Sequence, residues 1–349
     1  MAITHPARTR WSAKMHNLEY SERLHKKPVN VVVVGSINMD LSAFVKDFPK
    51  KNQTIAAKSS EISAGGKGLN QAVAAARAGA NVTFIGCVGD DSAGIAALQV
   101  LKDNDVDTHY IKVDKQTHTG TANIIIADDG ANMIAVSAGA NYSLTRHDIA
   151  RASSVLQSAD VLLCQLECPL DAVEQALKIA KAASVITIMN PAPAVDEATK
   201  LLPYADFVTP NETEALSLTH IDPTLPENRP LTTRRLMSEG AKNAVVTLGS
   251  AGAYVTAQDG RQFMLSAFTV DVVNTTGAGD TFNGALACAI ARNYALTDAT
   301  LYATAASGIS VSDKTAFDSA PTHETTVDFI ARCTYLDTLL KHDESSITR

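Results

Sequence analysis

The residues best suited to chemistry lie in one run, Asn274-Thr275-Thr276-Gly277-Ala278-Gly279-Asp280-Thr281-Phe282-Asn283-Gly284, where a glycine-rich turn meets a helix with Asp280 at the junction. Phe282, Leu286, Ile290 and Tyr294 recur at the spacing of one helix face, while residues 268–273 read as extended. The N–H groups of Gly277, Ala278 and Gly279 would open that helix without intrahelical acceptors, at the positive end of its dipole. Such a turn suits an anion, and so phosphoryl transfer. Asp280, held ionised by the same positive end, could take a proton from an attacking hydroxyl. A plainer reading of the same letters makes Asp280 a cap above a tight turn.

Three further clusters could serve the same chemistry. Ala64-Gly65-Gly66-Lys67-Gly68-Leu69-Asn70-Gln71 opens an alanine-rich helix running to about Ala78, with Gly79 closing it. Its glycines permit close approach of a ligand, and Lys67 and Asn70 add donors. Asn38 and Asp40 follow a run of four valines, and Glu167 follows another apolar run; an Asx turn and a surface charge are their plainer readings. Asn211 and Glu214 lie three apart after Pro210, on one side of a first helical turn. They could organise water around magnesium, and a capping box would give the same spacing.

The elements that must position these groups alternate as in an α/β fold. Val31 to Val34 reads as a strand buried on both faces, the centre of a parallel sheet, and ligands bind such sheets at the carboxyl ends of strands. Strands at 82–86, 161–165, 185–189, 207–208 and 244–248 intersperse with helices at 92–104, 145–157, 170–183, 298–312 and 324–340. Segment 41–63 alternates apolar and polar residues as short antiparallel strands outside the main sheet, and 119–127 and 133–137 read as extended, joined by a hairpin turn at Asp128-Asp129-Gly130. Residues 219–234 read as a polar surface connection. Residues 1–28 read as a basic extension without apolar periodicity, 29–341 as one folded domain, and 342–349 as a frayed tail.

Hydrophobic residues make up 46% and charged residues 19% of the 349, a globular balance that excludes a disordered chain. The net charge of −7 spreads without long like-charge runs, which argues against nucleic acid as partner. No apolar run nears the roughly 20 residues of a membrane span, and no secretory leader is evident. A cytoplasmic protein with five reduced cysteines is the expectation; Cys164 and Cys168 lack a second pair of metal ligands.

The run at 274–284 resembles the DTxGAGD signature of the ribokinase-like carbohydrate kinases, with Asn274 in place of its first aspartate. The 35–40 and 65–71 segments resemble that family's sugar-binding signature, and Thr209 to Glu214 its TPNxxE element. The resemblance covers roughly residues 29–340. It implies a ribokinase-like three-layer sandwich with a mostly parallel central sheet and a small β lid, built from about 41–63 and 119–137. It implies that Asn38, Asp40, Gly66, Lys67, Asn70 and Glu167 hold the sugar, with Asp280 as base and Gly277, Ala278 and Gly279 as anion hole. Asn211, Thr247, Gly249, Ser250, Gly252, Gly279 and Thr304 would meet ATP. Glu214 would reach magnesium through water, and Asn274, Thr276, Ser310, Asp313, Thr315 and Ser319 would surround a monovalent cation such as potassium.

The neutral amide of Asn274 weakens that last site. Asp40 and Glu167 would accept hydrogen bonds from vicinal hydroxyls and repel a phosphorylated sugar. A free pentose, D-ribose first, is the expected acceptor, with 2-deoxyribose or a nucleoside as alternatives and a catalytically silent sugar sensor as another. A homodimer paired through the lids is also implied.

Overall fold

The computed structural model describes residues 28–129, 131–312 and 319–333. Strands β1 (Asn30–Val34), β4 (Asn81–Gly89), β5 (Val106–Asp114), β8 (Val161–Cys164), β9 (Ile186–Met189), β10 (Phe207–Val208) and β11 (Asn243–Thr247) run parallel. The hairpin β12 (Ala253–Thr256) and β13 (Gln262–Leu265) adds two antiparallel strands, giving a nine-stranded sheet in the order β13-β12-β11-β10-β9-β8-β1-β4-β5. A separate four-stranded sheet, β3-β2-β6-β7, comprises β2 (Asn38–Val45), β3 (Ser59–Gly65), β6 (Gly120–Ala127) and β7 (Asn132–Ser137).

The valines of β1 show why the large sheet is covered on both faces. Val31 and Val33 enter one core with α1 (Lys67–Arg77), α2 (Ser92–Asp103), α8 (Ala278–Ala291) and α9 (Leu296–Ser310). Val32 and Val34 enter the other, with α3 (Arg146–Arg151), α4 (Ser153–Ser158), α5 (Leu170–Ala182), α6 (Glu212–Thr219) and α7 (Arg229–Ser238). Alternate side chains of one strand thus serve two helical layers. A last helix, 323–333, adds Ile330 to the first core. Among the described residues no helix is long and apolar enough to cross a membrane.

Three local expectations change, and a fourth is met as far as the described residues reach. Residues 268–273 form no strand: Val272 and Val273 are exposed, and Val273 N–H and Asn274 N–H both donate to Val311 C=O. The connection after Thr219 contains α7, because Pro230 sits in its first turn, where a missing N–H costs nothing. The helix expected over 145–157 is two short helices meeting at Ala152. The last helix begins at 323, and its expected extension to 340 lies outside the described residues.

Candidate active site

Asp280 is the third residue of α8, whose N-cap is Gly277 in the left-handed conformation at φ 78°. It is therefore not the cap. Its carboxylate turns inward, where Asn70 Nδ2 donates to Oδ2 at 3.1 Å and Gln71 Nε2 donates to Oδ1 at 2.9 Å. Burial raises its pKa, against the opposing pull of Lys67, Gln71 and Asn70, so the helix start alone does not keep it low. At the turn, Ala278 N–H reaches Thr275 C=O at 3.3 Å, while the N–H groups of Gly277 and Gly279 donate to no described residue. Gly279 is exposed, and a Cβ there would meet nothing within 4 Å, so the helix start opens to solvent.

Helix α1 brings its first turn to the same place. Gly66 precedes it at φ 93°, and a Cβ on Gly68 would lie 2.5 Å from Ser36 N, so only glycine lets α1 sit this close to the end of β1. Ser36 Oγ–H donates to Glu167 Oε2 at 2.5 Å, and Lys67 N–H to the same oxygen at 3.3 Å. Asp40 on β2 faces this group. Burial, then Glu167, then Asp280 push its pKa up from 3.8 to about 6. Burial opposes the charge on Lys67, yet Asp280, Glu167 and Glu214 outweigh it and raise its pKa. One ammonium group thus stands among three carboxylates.

Asn38 is buried and accepts Asn141 Nδ2–H at 2.8 Å. Asn141 also takes Ile37 N–H at 2.8 Å and donates to Ile37 C=O at 3.1 Å, clamping the turn that carries Asn38 toward Asp40. At the start of α6 the capping box is real: Glu214 N–H donates to Asn211 Oδ1 at 2.8 Å, and Asn211 N–H to Glu214 Oε2 at 2.9 Å. Glu214 still belongs to the central group. Burial raises its pKa, while the Asn211 N–H and Lys67 lower it.

The remaining residues lie around this centre. Thr247 N–H donates to Pro210 C=O at 3.0 Å, and a Cβ on Gly249 would lie 3.5 Å from Glu212 Oε1, so the β11 turn borders the start of α6. Gly252 at φ 104° turns the chain into β12, where a Cβ would strike Leu265 C=O. Ser250 is exposed, and Thr304 is buried with its hydroxyl on Thr300 C=O at 2.8 Å; among the described residues no hydrogen bond joins either side chain to the central group.

Behind the turn, Asn274 Oδ1 accepts Thr276 N–H at 2.9 Å and Asn274 N–H reaches Val311 C=O at 3.1 Å, beside Ser310 at the end of α9. Ser319 is buried, while Asp313 and Thr315 lie outside the described residues.

Several polar residues escaped the sequence reading. Ser36, Gln165, Asn190 and Thr209 each follow the end of a parallel strand, and Gln71 and Asn283 are buried on α1 and α8. Ser307 Oγ donates to Ala278 C=O at 2.9 Å, tying α9 to the turn. The available signal was position: a polar residue directly after an apolar run lies at the ligand-binding edge of such a sheet. The arrangement could serve three chemistries in one place: carboxylates that can accept from hydroxyl groups, amides that donate to no described residue and could meet an anion, and a buried carboxylate that could accept a proton.

Residues 29–323 match the family described as pfkB family carbohydrate kinase. The ribokinase of Haemophilus influenzae is 37% identical over 300 residues, covering 86% of this chain and 98% of its own. That of Schizosaccharomyces pombe is 39% identical over 302 residues, covering 84% and 95%. The structure of Arabidopsis thaliana ribokinase complexed with ribose and ATP matches with a TM-score of 0.80 and 30% identity, over 87% of this chain and 99% of that one. The chain belongs to the pfkB family of carbohydrate kinases.

Proposed function

We propose that the protein transfers the γ-phosphoryl group of ATP to the 5-hydroxyl of D-ribose. The observation that carries this reading is the place of Asp280: one helix start presents outward two amides that donate to no described residue and turns this carboxylate inward, against Asn70 and the Asp40–Glu167 pair. The ribose and ATP named with the Arabidopsis relative supply the two substrates that such a site fits. Asp40, Glu167, Asn38 and Asn70 would hold the sugar hydroxyls. Asp280 would take the proton of the 5-hydroxyl as it attacks, and the Gly277 and Gly279 amides would stabilise charge on the transferred group. Lys67, among the carboxylates, would offset their repulsion of the polyphosphate. Three carboxylates around the acceptor disfavour a sugar that already carries phosphate.

Glu214 supplies oxygen donors suited to magnesium, through water, and Asn211 lies beside it. Magnesium, when bound, would neutralise charge on the polyphosphate. The nucleotide would lie along the β11 turn at Thr247, Gly249, Ser250 and Gly252, toward Thr304. Asn274, Thr276, Ser310 and Ser319 are oxygen-bearing, as a monovalent cation requires. With a neutral amide at 274, and its Oδ1 already accepting Thr276 N–H, potassium should bind weakly.

The test of the assignment is Asp280→Asn. Turnover falls by roughly 10²–10⁴-fold, the contribution of a general base, while ribose binding measured by calorimetry survives. An Asp280→Asn protein as active as the wild type contradicts the reading.

A further inference from the structure

Behind Asp280 lies a chain of three carboxamides whose direction is set by a backbone carbonyl. A carbonyl oxygen only accepts, and Thr209 C=O takes Asn190 Nδ2–H at 2.8 Å. Asn190 must then turn Oδ1 the other way, where it accepts Gln71 Nε2–H at 3.1 Å. This orients Gln71 in turn. Its two N–H bonds go to Asn190 and to Asp280 Oδ1, the latter at 2.9 Å, and its Oε1 accepts Gln165 Nε2–H at 2.5 Å. Reversing Gln71 would set an amide oxygen against both a carboxylate and another amide oxygen.

Each member stands on a different element at the same edge of the sheet. Gln71 is on α1, and Gln165, Asn190 and Thr209 directly follow β8, β9 and β10. Gln71 and Gln165 are wholly buried, and Asn190 nearly so. Among the described residues Gln165 Oε1 has no hydrogen-bond partner, and a Cβ on Gly35 would lie 2.1 Å from it. An orphaned buried acceptor is costly, so its presence argues that the orientation of Gln165 is dictated by Gln71. From Thr209 the chain continues to the turn itself: Thr209 Oγ–H donates to Asn283 Oδ1 at 2.6 Å, and Asn283 Nδ2–H to Gly279 C=O at 2.8 Å.

We infer that Gln71, oriented by Asn190 and Gln165, is the positioning residue of the base, presenting a permanent donor to Asp280 Oδ1 and leaving the second lone pair of Oδ2, beside the Asn70 N–H it already accepts, for the acceptor hydroxyl. This rests on Asp280 being the base. The donor also favours the ionised form of Asp280 against the burial that disfavours it. Gln71 thus acts on the chemistry through the carboxylate and not through the sugar.

The test compares Gln71→Met, Gln165→Met, the double variant and Asp280→Asn with the wild type. Single-turnover phosphoryl transfer to ribose is followed from pH 5 to 9, with ribose affinity and thermal melting measured on each protein. Gln71→Met should slow transfer roughly 10- to 100-fold at pH 6, the loss expected for one buried hydrogen bond to a charge. It should move the acid limb of the profile to higher pH and leave ribose affinity unchanged. Gln165→Met should move the same limb less, and the double variant should be no slower than Gln71→Met, because Gln165 acts through Gln71.

A folded Gln71→Met protein with the wild-type acid limb overturns the inference, as does an additive double variant. Should Gln71→Met fail to fold, Gln165→Met decides, and an unmoved limb there also overturns it. An active Asp280→Asn protein instead removes the base assignment itself, whereas an inactive one beside an unmoved Gln71→Met limb removes only the positioning role.

Discussion

Asp40 shows at residue scale what a buried carboxylate costs the ligand-free fold. Its pKa is raised from 3.8 to about 6, so the folded protein holds that proton more tightly than the unfolded chain does. Its contribution to stability is therefore fully present below pH 3.8 and is lost as pH rises through about 6. At ~1.4 kcal/mol per pH unit, the ligand-free protein forgoes at most ~3 kcal/mol above that range. Asp40→Asn should raise the melting temperature at pH 7.5 and weaken ribose binding, and its thermal advantage should vanish toward pH 4. A variant that melts below the wild type at pH 7.5 contradicts this account.

Asp280, Lys67, Asn70 and Glu167 were legible in the sequence because each sits in a glycine-marked turn or at a strand end. Gln71 was not singled out, although it adjoins Asn70: its partner Asp280 lies 209 residues away, and only the fold reveals that pairing.

At the scale of elements, helix starts were read more reliably than connections. Gly66, Asn211 and Gly277 all precede helices as expected, since positive φ and capping leave local marks. Residues 268–273 carry strand-like letters, yet no neighbouring strand pairs with them among the described residues. The strands of the small sheet were legible from alternation and turn residues, and their exposure is a separate finding. Every residue of β7 is exposed, including Met133, Ile134 and Val136, and Ile62 on β3 is 69% exposed. An edge strand of this kind offers unpaired backbone groups and apolar side chains to a second copy. We propose that two lids pair in a homodimer. Light scattering should give twice the chain mass for the wild type, and Ile62→Asp combined with Met133→Asp should shift it toward the monomer. A wild-type protein that stays monomeric at high concentration contradicts the pairing.

At the scale of the whole molecule, the sheet order places β1, β8, β9 and β10 side by side, so that residues following their ends meet although the chain visits them far apart. Ser36, Gln165, Asn190 and Thr209 become one polar edge, with α1 and α8 standing on it. Alternation of strands and helices foretold a parallel sheet; which strands would be neighbours depended on packing between distant apolar faces. Phosphoryl transfer to ribose is proposed to occur at that edge. The most direct measurement is ADP formation from ATP and magnesium with D-ribose, 2-deoxyribose, adenosine or no acceptor, each with and without potassium. Ribose should give the fastest turnover, with less stimulation by potassium than in the Asn274→Asp variant. Preference for deoxyribose or adenosine, or sugar binding without turnover on any acceptor, would contradict it.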